Sequence, residues 1–136
     1  MRSLVYTAPK TIEIRDVAMP KAGPGKVLLK MRFCGVCGTD IGIWGGTHPR
    51  ATAPLILGHE FVGEVVDASP RFAKGQRVVA YPLISCGQCH PCRTGSPHIC
   101  AKLRLIGIDG DGGMAEYLAV PEDVLFAIPD DIDDGI

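Results

Sequence analysis

Four cysteines fall within the fifteen positions 86–100 in the pattern C-x2-C-x2-C-x7-C, inside the stretch YPLISCGQCHPCRTGSPHICA (81–101). Four thiolates at these spacings can close around one tetrahedral Zn2+ with Zn–S bonds of ~2.3 Å. Gly87, Pro91, Gly95 and Pro97 supply the tight turns that wrapping an ion requires. A loop with so little apolar surface cannot build a core, so metal binding would supply its folding energy. Disulfides are the alternative. The amino terminus, MRSLVYTAPKTIEIRDVAMP, has neither the apolar run nor the small-residue cleavage site of a secretory signal. A cytoplasmic, reducing setting is therefore expected, and there closely spaced thiols bind metal more often than they pair. Cys86, Cys89, Cys92 and Cys100 are the expected ligands of a structural zinc in a lobe over 81–105. His90 and His98 lie within it as bystanders, since four sulfurs already fill a closed site.

The rest of the chain must hold this lobe. Seventeen glycines and eleven prolines cut the 136 residues into short pieces rich in Val, Ile, Leu, Phe and Tyr, a strand-and-turn pattern. SLVYT and TIEIR, separated by Ala8, Pro9 and Lys10, read as a hairpin. KVLLKMRF, EFVGEVVDA, QRVVAYP, MAEYLAV and VLFAI are further strands, with Gly63 inside the second of these marking a bulge or bend. Strands recur after short turns without long helices between them, so the fold class is mainly β, a partly open barrel with short helices. GTDIGIW (38–44) is a short helix that Thr39 or Asp40 could cap. At 46% hydrophobic and 21% charged residues, the chain has the balance of one folded domain.

A second cluster lies in FCGVCGTD (33–40) and LGHEF (57–61). A thiolate from Cys37 and an imidazole from His59 are two ligands suited to a catalytic zinc, which takes three protein ligands and leaves one position open. Asp40 could accept the free ring N–H of His59, and Thr39 would place a hydroxyl beside the site. Read alone, His59 fits a buried, hydrogen-bonded histidine equally well, with Glu60 a surface carboxylate. Cys34 with Cys37 forms a C-x2-C, but the βαβ setting of a thioredoxin-like redox pair is missing, and Cys34 reads as a small buried hydrophobe. Trp44 and His48 either border a substrate cleft or pack ordinarily.

The two clusters in this order, with GVCGTD (35–40), GHEFVGEV (58–65), GQRV (75–78), CGQCHPCRTGSPHIC (86–100), GGMAEYLAVP (112–121) and IPDDI (128–132), resemble the GroES-like catalytic domain at the amino terminus of zinc-dependent medium-chain alcohol dehydrogenases. The resemblance spans essentially residues 1–136. It implies that Cys37 and His59 bind a catalytic zinc, that Glu60 sits beside the metal and exchanges onto it, and that Thr39 hands on the substrate proton. It also implies Cys86, Cys89, Cys92 and Cys100 as the structural set. The implied reaction is reversible hydride transfer between a small-molecule alcohol and NAD or NADP, in a homo-oligomer when full length. The family's Rossmann nucleotide-binding domain and its third catalytic-zinc ligand are not found in these 136 residues. This chain alone is therefore expected to be inactive, with a tight lobe site and a Cys37/His59 site that binds metal only weakly or not at all. Gly42 and Gly38, where classical members carry a histidine and a basic residue, lean towards the polyol and threonine dehydrogenase branch, hence a secondary alcohol, polyol or hydroxy amino acid substrate. A non-enzymatic zinc-stabilised barrel used for binding or assembly is the alternative.

Other functions find no footing. The net charge of -1 and the lack of a basic stripe exclude a nucleic-acid partner, and no apolar run is long enough to cross a bilayer. GDGGMA (110–115) matches a dinucleotide fingerprint in form, yet a β-like AEYLAVP follows it instead of a helix. A calcium loop starting at Asp109 fails at Gly113 and Val120.

Overall fold

Alternation of apolar and polar side chains builds the strands. The computed structural model describes residues 1–133; the end of the closing acidic stretch, 134–136, lies outside them. β1 (Arg2–Ala8) and β2 (Thr11–Asp16) form the expected hairpin, turned at Lys10, which takes a φ of 63°. β3 (Lys26–Cys34) leads into a two-turn helix, α1 (Gly38–Trp44). β4 (Leu55–Ile56), β5 (Phe61–Val65) and β6 (Arg77–Ala80) follow. The lobe opens with β7 (Leu83–Ile84), contains the single turn α2 (His90–Arg93), and closes with β8 (Arg104–Leu105). β9 (Tyr117–Pro121) and β10 (Leu125–Ala127) end the chain's regular structure.

All the paired strands run antiparallel. Five form a sheet in the order β10-β6-β5-β3-β9, three another in the order β2-β1-β4, and β7 pairs with β8 at the base of the lobe. An isolated bridge between Ser3 of β1 and Ala115 ties the three-stranded sheet to the segment just before β9. The five-stranded sheet keeps two edges, so the barrel is the partly open one expected. Its bulge, however, lies in β3: the register steps from Met31↔Gly63 to Phe33↔Val62, leaving Arg32 as the extra residue. Gly63 is opposite it, and a Cβ there would meet Leu29 Cβ at 3.0 Å.

The main core fills the concave side of this sheet with Val27, Leu29, Phe61, Val65, Val78, Leu118, Val120 and Leu125. Leu29, Val78 and Leu125 are completely buried, each stabilising by roughly 1.5–3 kcal/mol for a side chain of this size. A second cluster of Tyr6, Ile43, Leu55, Leu57 and Ile108 seats α1 against β1 and β4. On the convex side Phe126, Val79, Val62 and Phe33 stand in register across four strands. Phe33 and Phe126 are each 55% exposed.

Candidate functional site

The register of β3 against β5 brings the second cluster together. Cys34 pairs with Phe61, and Gly35 N–H continues the ladder by donating to Glu60 O at 2.7 Å. Residues 35–37 therefore run beside residues 59–60. Cys37 ends the extended segment with φ -112° and ψ 176° and serves as N-cap of α1. Its Sγ accepts the Thr39 backbone N–H at 3.3 Å, and its own N–H donates to Asp40 Oδ2 at 3.0 Å. Helix geometry places the third helical residue over the cap. That holds Asp40, only 3% exposed, over the Cys37 cap.

His59 completes the group. Its Nε2 lies 3.1 Å from Cys37 Sγ, and its side chain is 11% exposed. Nδ1 faces Asp40 Oδ1 at 3.8 Å, and both of these atoms are buried without a hydrogen-bond partner. The expected ring N–H···carboxylate bond is thus aligned but not closed, because 3.8 Å exceeds hydrogen-bonding distance. Asp40 is already committed through its other oxygen to the Cys37 cap. One donor atom from each of Cys37, Asp40 and His59 lies within 4.8 Å of the others. A soft sulfur, an imidazole nitrogen and a carboxylate oxygen form a donor set that suits Zn2+, and two orphaned buried atoms mark a site whose charge needs compensation. Asp40 as a further possible donor was missed from sequence, although its position three residues after an N-cap was the available signal.

Glu60 stands apart from this group. It is exposed and lines, with His59, Gly35, Val62 and Val79, a cleft of about 610 Å³. Thr39 is half-buried on the first turn of α1. Cys34 is half-buried against the core rather than fully inside it, since it sits where β3 reaches the rim. Burial, and then the carboxylates of Asp40 and Glu60, push its thiol up to about 11. A thiol so protonated is a poor redox partner. Among the described residues neither Trp44 nor His48 lines that cleft. His48 Nδ1 accepts the N–H groups of Arg50 and Ala51, each at 3.3 Å, and holds a turn.

In the lobe, Cys86, Cys89, Cys92 and Cys100 bring their sulfurs within 4.8 Å of one another. Cys89 Sγ lies 3.4 Å from Cys92 Sγ and 3.8 Å from Cys100 Sγ, close to the ~3.8 Å separation implied by ~2.3 Å bonds in a tetrahedron. None of the six cysteines is disulfide-bonded. Backbone N–H groups point at the sulfurs: those of Cys86 and Lys102 each donate to Cys100 Sγ at 3.3 Å. The N–H groups of Cys92 and Ala101 lower Cys89 to about 6, and those of Gln88 and Cys89 lower Cys86. Desolvation and the neighbouring sulfurs push Cys92 up to about 11. Gathering negative sulfur this tightly demands a cation. His90 and His98 are exposed outside the sulfur cluster.

The family profile of the alcohol dehydrogenase GroES-like domain matches residues 23–130. An L-threonine 3-dehydrogenase of Chelativorans sp. (strain BNC1) is 40% identical over 143 aligned positions, covering 100% of this chain and 42% of its own length. The crystal structure of a candidate zinc-binding dehydrogenase from Sinorhizobium meliloti 1021, bound to NADP, superposes with a TM-score of 0.90 at 41% identity, over 98% of this chain and 40% of the other. Galactitol-1-phosphate dehydrogenase from Escherichia coli gives a TM-score of 0.91 at 30% identity over 98% of this chain and 40% of its own. The chain thus spans about two fifths of the length of the relatives it matches. Profile, superposition and the two cysteine-bearing clusters agree, and the chain belongs to the alcohol dehydrogenase GroES-like domain family.

Proposed function

We propose that this chain is the catalytic-domain portion, over residues 1–136, of a zinc-dependent dehydrogenase that oxidises a secondary alcohol, polyol or hydroxy amino acid with NAD or NADP. The observation that carries this reading is the 3.1 Å approach of Cys37 Sγ and His59 Nε2 beside an open cleft. In it, Cys37 and His59 hold the catalytic Zn2+, and Cys86, Cys89, Cys92 and Cys100 hold a structural one. When bound, the catalytic zinc supplies Lewis acidity that makes an alcohol hydroxyl acidic near neutral pH, while the nicotinamide accepts hydride.

The protein groups have separate tasks. Asp40 Oδ1, opposite His59 Nδ1, favours the tautomer with its proton on Nδ1 and leaves Nε2 free as a ligand. The Thr39 hydroxyl, two residues after Cys37, would relay the substrate proton, accepting it while its own proton passes on to solvent. Glu60, at the cleft beside His59, would offer a further carboxylate to the ion. Apolar side chains, among them Phe61, Val62 and Val79, line much of the cleft and suit the carbon skeleton of the substrate.

Nucleotide binding is assigned to the portion of the relatives that this chain does not span, as a Rossmann domain. The threonine and galactitol-1-phosphate dehydrogenases support the substrate class, and the NADP-bound relative supports the cofactor. Six unpaired thiols suit the cytoplasm, and no described helix is long and apolar enough to cross a membrane. A homo-oligomer is proposed for the complete enzyme. Replacing the matching part of the NADP-bound relative by this chain tests the reading. The chimera should reduce NAD(P) with threonine or a polyol, and lose this in Cys37→Ser and His59→Ala while keeping the lobe metal. Unchanged turnover in both variants would refute it.

A further inference from the structure

The segment that carries His59 has little secondary structure of its own. Before His59 come only the two residues of β4, paired to β1 through Val5↔Ile56 and Tyr6↔Leu55. What holds residues 56–58 from the other side is the glycine-rich turn GIDGDGG (107–113), which overlaps the GDGGMA (110–115) that matches a dinucleotide fingerprint only in form. Its backbone and that of the next residue, Met114, bind three successive carbonyls: Gly112 N–H donates to Ile56 O at 2.8 Å, Met114 N–H to Leu57 O at 2.9 Å, and Gly113 N–H to Gly58 O at 2.8 Å. Asp111 Oδ1 accepts the Ile56 N–H at 3.1 Å. The bonds leave the carbonyls of residues 56–58 no freedom to rotate.

Contact this close requires the absence of a side chain. A Cβ on Gly112 would overlap Gly58 O and lie 2.6 Å from Leu57 O, and one on Gly107 would lie 2.7 Å from Gly58 C. These obstacles are backbone atoms of Leu57 and Gly58, the two residues before His59, so a side chain at either glycine forces the turn and the 57–58 backbone apart. Cys37, the sulfur partner of His59, stands on a different segment, the cap of α1, and would not follow.

We propose that Gly112, with the 107–113 turn, is a positioning device for His59, setting its imidazole against Cys37 by direct backbone-to-backbone contact. The inference rests on the reading of Cys37 and His59 as a metal site. Gly112 touches neither metal nor substrate. It acts through Gly58, and a substitution there separates the two ligands while leaving the four-cysteine lobe intact.

The test uses the full chain and Co2+ as probe, with the lobe as internal control. Its four-thiolate absorption is distinct from that of a site with one thiolate and one imidazole. In the parent chain, Co2+ should fill the lobe first and then shift the NMR resonances of the His59 ring. In Gly112→Ala the lobe spectrum should persist, while the second-site affinity falls by about 10- to 100-fold, as losses around metal ligands do. Metal-free Gly112→Ala should also show a displaced His59 ring resonance.

Should Gly112→Ala fail to fold, the exposed Asp111 decides: Asp111→Ala should weaken the second site, and Asp111→Asn, which keeps an oxygen for Ile56 N–H, should restore it. Gly23→Ala, with nothing within 4 Å of the added Cβ, should match the parent. A parent chain whose His59 resonances ignore Co2+ at every concentration would overturn the proposal, while the metal reading itself is decided separately by the chimera, through loss of its second metal in Cys37→Ser. A parent site that binds, with unchanged affinity and ring shifts in Gly112→Ala or, if that variant does not fold, in Asp111→Ala, would overturn the proposal alone.

Discussion

Asp40 Oδ1 and His59 Nδ1 face each other at 3.8 Å, both buried and neither hydrogen-bonded, while the other Asp40 oxygen caps Cys37. One carboxylate therefore supports both proposed ligands. Asp40→Ala should weaken metal binding at Cys37/His59 by about 10- to 100-fold, read by competition with a chromophoric chelator. Asp40→Asn retains the cap oxygen but not the charge and should fall between. Equal affinities in all three proteins would detach Asp40 from the site.

Chelation should unfold the lobe and spare the barrel. Residues 86–100 contribute a single buried side chain, Cys100, and the main core lies in the five-stranded sheet. Removing zinc, or Cys89→Ser, should raise amide exchange over 86–100 while β3, β5 and β6 keep their protection. Loss of protection across the sheet would show that the lobe is integral to the core.

Zinc uptake by the lobe should depend on pH in a defined direction. Near neutrality Cys92, raised to about 11, still carries its proton, whereas Cys89, lowered to about 6, does not. Binding must expel protons, so affinity should be higher at about pH 8 than at about pH 6. Titrations in two buffers of different ionisation enthalpy would count the protons released. A count of zero would contradict the sulfur-only ligand set.

Leu29→Ala should cost about 2–5 kcal/mol by urea denaturation, the range for a buried leucine deleted from a packed core. Leu29 is fully buried, and Gly63 closes over it. A loss near zero would mean that the sheet's concave face is not packed as described.

Glu122 links the 69–72 turn to the end of β9. The Ser69 hydroxyl, the Arg71 N–H and the Arg71 charge lower its carboxyl below the ordinary 4.5, with the Arg71 N–H at 3.0 Å. A lowered folded value means the contribution is present above 4.5 and lost as pH falls through the lower folded value. Glu122→Gln should therefore reduce the urea midpoint slightly at pH 7, and the difference should close on acidification. A gap that widens in acid would reverse the sign assigned here.

Much of the architecture was legible because it depends on near neighbours. Alternation marks the strands from SLVYT to VLFAI, and the spacing of Cys86, Cys89, Cys92 and Cys100 announces a lobe whose sulfurs indeed gather; the helix at 38–44 forms as expected, but its N-cap is Cys37 and not Thr39 or Asp40, which lie within the first turn. Two-residue strands such as β4, β7 and β8 were invisible, since pairs of residues carry no period to detect. Gly63 marks the place of an irregularity, a bulge or a bend, but not which strand carries the extra residue: that residue is Arg32 of β3, because a bulge is a property of two strands in register, and the register is not written in either one.

Local sequence settled which segments extend, where they turn, and that two groups of metal-binding side chains exist. Tertiary packing decided that Cys37 and His59 meet, that Asp40 reaches both, that Glu60 stays at the cleft, and that a glycine turn fifty residues further on grips the histidine's backbone. Those outcomes follow from the pairing of β3 with β5 and from the contact of residues 112–114 with 56–58. Ligand geometry is set by distances of a few tenths of an ångström between segments far apart in the chain, and only the folded core holds such segments to that tolerance.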